Sequence, residues 1–225
     1  MNSLLRVLDR LISLVMKVCW VVLIGLSIYF MLDSFYLYKN SKEEFSIEKA
    51  DDLAEGAIGW IKVDNTKIDY PIMQGETNFD YIETDPYGNY SLAGSIFLDF
   101  RNDSSFNDAY SLLYGHNMSM GNMFGSLGNF KNAEYVKTHR TGKLVSLLDN
   151  KEYSFTVFAV CVVDAMKVES DVIFENFDLD NLISYLEENS LFYDTTGSTK
   201  SKVLGLSTCE APDTYGRICV FGYLE

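Results

Sequence analysis

The apolar positions of this chain fall into two regimes. From Leu11 to Leu32 they are nearly unbroken, with Lys17 the single charge, and at 1.5 Å rise per residue such a run crosses a hydrocarbon core of roughly 30 Å. It predicts a transmembrane helix over 11–32. A cleaved signal peptide would have a shorter apolar run and a small-residue cleavage site, which Ser27-Ile28-Tyr29-Phe30-Met31 does not supply. A surface helix would need a polar face, and between Val18 and Leu26 only Gly25 offers one. The next stretch, 34–55, mixes aromatic and charged residues without Gly or Pro, which predicts a juxtamembrane helix leading into a domain that starts near Leu53.

Past that point the apolar runs become short and are punctuated by turn residues. They predict strands over 57–63, over 67–73 across an Asp64-Asn65-Thr66 turn, and over 95–100, 110–114, 144–148, 153–163, 203–207 and 218–224. The last three are almost continuously apolar, a pattern that signifies burial on both faces. A closed or nearly closed β-barrel accommodates such strands. Leu179, Leu182, Ile183 and Leu186 recur at helical spacing behind Asp178, an N-cap candidate, and predict a helix over 177–189. The chain therefore divides into an N-terminus (1–10), an anchor helix (11–32), a helical linker (33–52) and one globular domain (53–225). Arg6, Arg10 and Lys17 flank the N-terminal side of the anchor, so the positive-inside bias places Met1 in the cytoplasm and the domain outside.

Charge narrows the function. The chain carries a net −14, and the segment through Asp33 holds three positive and two negative side chains, which leaves −15 beyond it. An acidic domain repels polyanions and argues against nucleic-acid binding. Of the four cysteines, Cys19 lies in the anchor; the remaining three are an odd number, so at least one of them is a free thiol. Neither a Cys-x-x-Cys nor a matching His pair suggests a metal site, and Asp178-Leu179-Asp180 lacks the spacing of a calcium loop, so no metal or cofactor is expected. Cys161 and Cys219 sit inside apolar strands as small hydrophobes. Cys209 instead stands where a strand stops and Glu210-Ala211-Pro212-Asp213 begins a loop, a position from which a thiol can meet substrate. His139 lies in a basic, solvated stretch, whereas His116 follows the apolar strand ending at Tyr114 and the turn residue Gly115. Arg217 opens the last strand. A thiol, an imidazole and a guanidinium are the parts needed for acyl transfer through a thioester.

Leu206-Ser207-Thr208-Cys209, Tyr114-Gly115-His116-Asn117-Met118 and the downstream Arg217 resemble the signature segments of the sortases, membrane-anchored cysteine transpeptidases of Gram-positive bacteria. Tyr70-Pro71-Ile72-Met73-Gln74-Gly75, Gly94-Ser95-Ile96-Phe97-Leu98-Asp99, Met123-Phe124-Gly125-Ser126-Leu127 and the helix before the Cys strand resemble class B. The resemblance spans about 57–224, with Gly205 standing where the signature has Thr. It implies a mainly β fold, a closed eight-stranded barrel with an N-terminal helix and a helix inserted before the catalytic Cys strand. It further implies Cys209 as nucleophile, His116 as general acid and base, and Arg217, with the backbone N–H of Glu210, as the oxyanion stabiliser. Ser207, Glu210 and Asn78 are the expected substrate contacts. The implied partners are secreted proteins with a C-terminal sorting signal of the LPxTG or NPxTN type and a peptidoglycan amine as acceptor. Read without the resemblance, the same residues also suit an extracellular cysteine peptidase or amidase, or a membrane-tethered binding domain.

Overall fold

The computed structural model describes residues 2–40, 52–194, 202–210 and 214–225. The N-terminal unit is a single helix, α1 (Asn2–Asn40), whose segment Leu8–Leu32 is long and apolar enough to cross a membrane. The helix continues through Asn40; the part of the expected linker over 41–51 lies outside the described residues.

The second unit is a barrel. Its strands are β1 (Ala57–Val63), β2 (Asp69–Met73), β3 (Ile96–Leu98), β4 (Tyr110–Tyr114), β5 (Thr141–Ser146), β6 (Glu152–Asp164), β7 (Phe192–Tyr193), β8 (Lys202–Cys209) and β9 (Gly216–Leu224). Their order is β5-β1-β2-β3-β4-β8-β9-β6, and β5 also pairs with β6, which closes eight strands into a ring; the two-residue β7 adds only to β6. Closure matters physically because it leaves no row of unpaired backbone groups along an edge. Three short helices are appended, α2 (Ala133–His139), α3 (Asp171–Phe174) and α4 (Leu179–Asn189). As expected, Asp178 caps α4, its carboxylate accepting from the Asn181 N–H.

The near-continuous apolarity of the late strands has the predicted cause. Along β9, Ile218, Val220 and Leu224 belong to the cluster that fills the barrel, while Cys219, Phe221 and Tyr223 join a second cluster with Leu182 and Leu186 of α4. Both faces are buried, so apolar residues dominate each. Gly205 belongs to the same arrangement: a Cβ there would lie 2.9 Å from Leu112 Cδ1 and 3.1 Å from both Phe221 Cε1 and the Tyr110 hydroxyl, so these three side chains occupy the space a larger residue would need. Two strands are displaced from the expected positions. β2 begins at Asp69, because Asn65 takes a left-handed φ of 61° and the Thr66 hydroxyl caps the turn by donating to Val63 and accepting from the Ile68 N–H. β5 starts at Thr141 and ends at Ser146, its partners on β1 running from Val63 back to Gly59.

Candidate active site

The carboxyl ends of β4 and β8 and the start of β9 lie side by side. β4 and β8 run parallel with Tyr114 opposite Ser207, and β8 and β9 run antiparallel with Ser207 opposite Cys219 and Cys209 opposite Arg217. Side chains alternate across a strand, so Ser207 and Cys209 emerge on one face with their partners Arg217 and Tyr114. The result is a cleft of about 140 Å³ open to solvent, lined by Ile82, Phe97, Tyr114, Gly115, His116, Ser207, Thr208, Cys209 and Arg217. Cys209 is half-buried, unlike Cys161 and Cys219, which are sealed in the core.

His116 reaches this cleft because the chain turns just past β4. Gly115 is required there, since a Cβ would sit 2.4 Å from Ile96 Cδ1 and 2.8 Å from Phe124 Cδ2. The backbone is then pinned: the Phe124 N–H donates to the His116 carbonyl at 3.0 Å, and Asn117 bridges Met123. On the other side the Thr208 hydroxyl donates to the Gly115 carbonyl at 2.7 Å, and the Asn117 amide donates to the Cys209 carbonyl at 2.8 Å. These two side chains continue the β4–β8 ladder beyond the point where backbone pairing stops. The His116 ring places Nε2 2.9 Å from the Ile82 carbonyl. A carbonyl only accepts, so the proton sits on Nε2 and the lone pair of the neutral ring is on Nδ1.

Beneath the cleft lies a buried carboxylate. Asp99 accepts from Arg101 Nε at 2.8 Å and Nη2 at 2.9 Å, from Asn78 Nδ2 at 2.9 Å and from the Tyr114 hydroxyl at 3.1 Å. Burial acts to raise the Asp99 pKa, but the hydrogen bonds from Arg101 and Asn78 outweigh it and the value is lowered. Burial and the adjacent Asp99 charge push the Tyr114 phenol up, so it remains a donor. Through the Tyr114 hydroxyl this network ties into the lining of the cleft.

Four of the six residues expected at a site therefore line one cleft: Cys209, His116, Arg217 and Ser207. Ser207 is buried, its Oγ accepting from the Cys219 thiol at 3.6 Å. Asn78 does not line the cleft but joins the network through Asp99, both ends of its amide being engaged, the nitrogen by Asp99 and the oxygen by the Phe100 N–H. Glu210 is exposed and pairs with Lys131 at 3.2 Å, and its N–H donates to the Gly216 carbonyl at 2.9 Å. The sequence reading passed over Tyr114, Asn117 and Thr208, although the first two flank His116 and the third precedes Cys209. Asp99 ends a segment that carries the class B resemblance but was given no role there, and Ile82 lies outside every such segment.

Comparison with known proteins agrees with this architecture. Residues 61–225 match the family model described as Sortase domain. Sortase B of Listeria monocytogenes is 32% identical over 177 residues, 76% of this chain and 71% of that protein; Sortase B of Staphylococcus aureus is 29% identical over 167 residues, 72% and 67% respectively. Among solved structures, Spy0129 of Streptococcus pyogenes, a class B sortase involved in pilus biogenesis, superposes with a TM-score of 0.73 at 34% identity and covers 82% of this chain and 100% of its own. A substrate complex of the Staphylococcus aureus sortase B gives a TM-score of 0.68 at 26% identity, over 88% and 94% of the two chains. With the family model covering most of the chain and class B enzymes among its relatives in both sequence and structure, this chain belongs to the sortase family as a class B, sortase-type cysteine transpeptidase.

Proposed function

We propose that Cys209 is the nucleophile of this transpeptidase, His116 its general acid and base, and Arg217 its oxyanion stabiliser. The observation that carries the assignment is the meeting of these three side chains in one cleft, although 92 residues of chain separate the first two. The Cys209 thiolate attacks the carbonyl of the Thr-Gly or Thr-Asn bond in a C-terminal sorting signal. A tetrahedral oxyanion forms and collapses to a thioester as the amine leaves with a proton from the imidazolium. An amine of peptidoglycan or its precursor then attacks the thioester, giving up its proton to the imidazole, and the C–S bond breaks to release the Cys209 thiolate and join the secreted protein to the wall by an amide. Ser207, beside the nucleophile in the cleft, contacts the bound signal. The anchor over 11–32, with the N-terminus in the cytoplasm and the domain 53–225 outside, brings the thiol to where secreted chains and wall precursors pass.

The test uses the full chain in detergent micelles with peptides carrying LPxTG or NPxTN cores, with and without triglycine or a diaminopimelate-containing peptide. An amide product establishes transfer, free acid alone indicates a peptidase, and an intact peptide indicates a binding domain. Cys209→Ala must abolish either product. Arg217→Ala is expected to lower turnover by about 100- to 1000-fold, the usual cost of removing one oxyanion donor, with an unchanged thermal unfolding midpoint; retention of more than a tenth of wild-type turnover would refute its role.

A further inference from the structure

The peptide joining Cys209 to Glu210 is held on both sides. Its N–H donates to the Gly216 carbonyl at 2.9 Å, and its carbonyl accepts from the Asn117 side-chain amide at 2.8 Å, which also lies 3.4 Å from the Glu210 carbonyl. Both acceptors are carbonyl oxygens, so the NH2 end of Asn117 must face them; the opposite assignment would set oxygen against oxygen. The Gly216 carbonyl also accepts from Arg217 Nη1 at 3.1 Å. One oxygen thus receives both groups that, on the reading of Cys209 as nucleophile, face the developing oxyanion. The two donors are already within reach of a common acceptor, and a substrate oxyanion, which accepts more strongly than a neutral carbonyl, takes the place of the Gly216 oxygen.

We infer that Asn117 is a positioning residue that sets the plane of the Cys209–Glu210 peptide, so that the Glu210 N–H meets the oxyanion when it leaves Gly216. Once that N–H is released, the Asn117 amide is the side-chain restraint left on the peptide. Asn117 is fit for this because its own backbone is fixed by the bridge to Met123, and the preceding carbonyl by Phe124. It does not line the cleft and does not act on the thiol or the imidazole. Its loss therefore weakens stabilisation of the tetrahedral state and leaves thiolate formation alone.

Two reactions of Cys209 separate these effects. Acylation by a sorting-signal peptide passes through an oxyanion, whereas alkylation by iodoacetamide needs the thiolate but builds none. In the full chain in micelles, Asn117→Ala and the similarly sized, uncharged Asn117→Leu, which both remove the N–H donors, are expected to lower kcat for peptide cleavage about 3- to 10-fold, the range of one hydrogen bond to a peptide carbonyl. KM, the alkylation rate and its pH midpoint should stay within twofold of wild type. Unchanged cleavage would overturn the inference. So would a parallel change in alkylation or its pH midpoint, which would place Asn117 behind the thiol or the imidazole, or loss of the folding transition in both variants, which would make it a structural residue. A wild-type chain that alkylates but never cleaves the peptide would refute the nucleophile assignment instead.

Discussion

Replacing Arg101 by Met tests the buried network that supports the cleft. The guanidinium donates to both oxygens of Asp99, a carboxylate with no exposed surface, and also to the Phe174 carbonyl, and pairs with Glu175 at 2.6 Å. The Glu175 arm is mostly exposed and contributes at most about 1 kcal/mol. The Asp99 arm is worth more, since removing one member of a fully buried pair costs roughly 3–5 kcal/mol. Arg101 is itself 30% exposed and Asp99 keeps the Asn78 and Tyr114 donors, so the low end applies, about 3 kcal/mol. For a domain of this size that corresponds to a fall of roughly 6–12 °C in Tm at pH 7. The pH dependence has a definite sign. Because the folded pKa of Asp99 is lowered, its stabilisation is complete above the unfolded value of about 3.9 and is lost as pH falls through the folded value. In Arg101→Met burial is opposed by fewer donors, the folded pKa rises, and most of this acid sensitivity disappears. Calorimetry of both proteins from pH 7 to pH 3 should show the gap in Tm narrowing. A gap below about 2 °C at pH 7, or one that stays constant to pH 3, would refute the argument.

Other expectations follow from single contacts. Mass spectrometry after brief alkylation of the folded chain should find Cys209 modified well before Cys161 and Cys219, because both are fully buried and the Cys161 thiol is pushed up by its hydrogen bond with Cys219 and by burial. Gly222→Ala would set a Cβ 2.2 Å from Phe155 Cε2; overpacking of this kind should lower stability by about 1–3 kcal/mol in denaturant titrations. Lys131→Ala removes the exposed pair with Glu210 and should change stability by less than about 1 kcal/mol.

Much of the fold was legible because it depends on patterns a few residues long. The apolar run of α1, the two-faced apolarity of β6, β8 and β9, and the Asp178 cap of α4 each reflect a local rule of length, alternation or hydrogen bonding. The segments around His116, Cys209 and Arg217 stood out for the same reason, as chemistry-bearing residues at strand ends. β7 went unread because two residues carry no periodicity, and β5 was misplaced because Leu147 and Leu148, though apolar, lie past its end.

What the linear chain determined by itself is thus which segments are apolar, where they bend, and which side chains carry reactive groups. Only the tertiary structure decided which of these meet. The parallel pairing of β4 with β8 and the antiparallel pairing of β8 with β9 bring His116, Cys209 and Arg217 into one cleft, and the same folding draws Asn78 down onto Asp99 and turns the Glu210 N–H toward Gly216. Strand order and register arise from the joint burial of residues far apart in sequence, and a one-residue slip would carry Cys209 to the opposite face of the sheet. No local pattern holds that information, because it resides in the closed barrel as a whole.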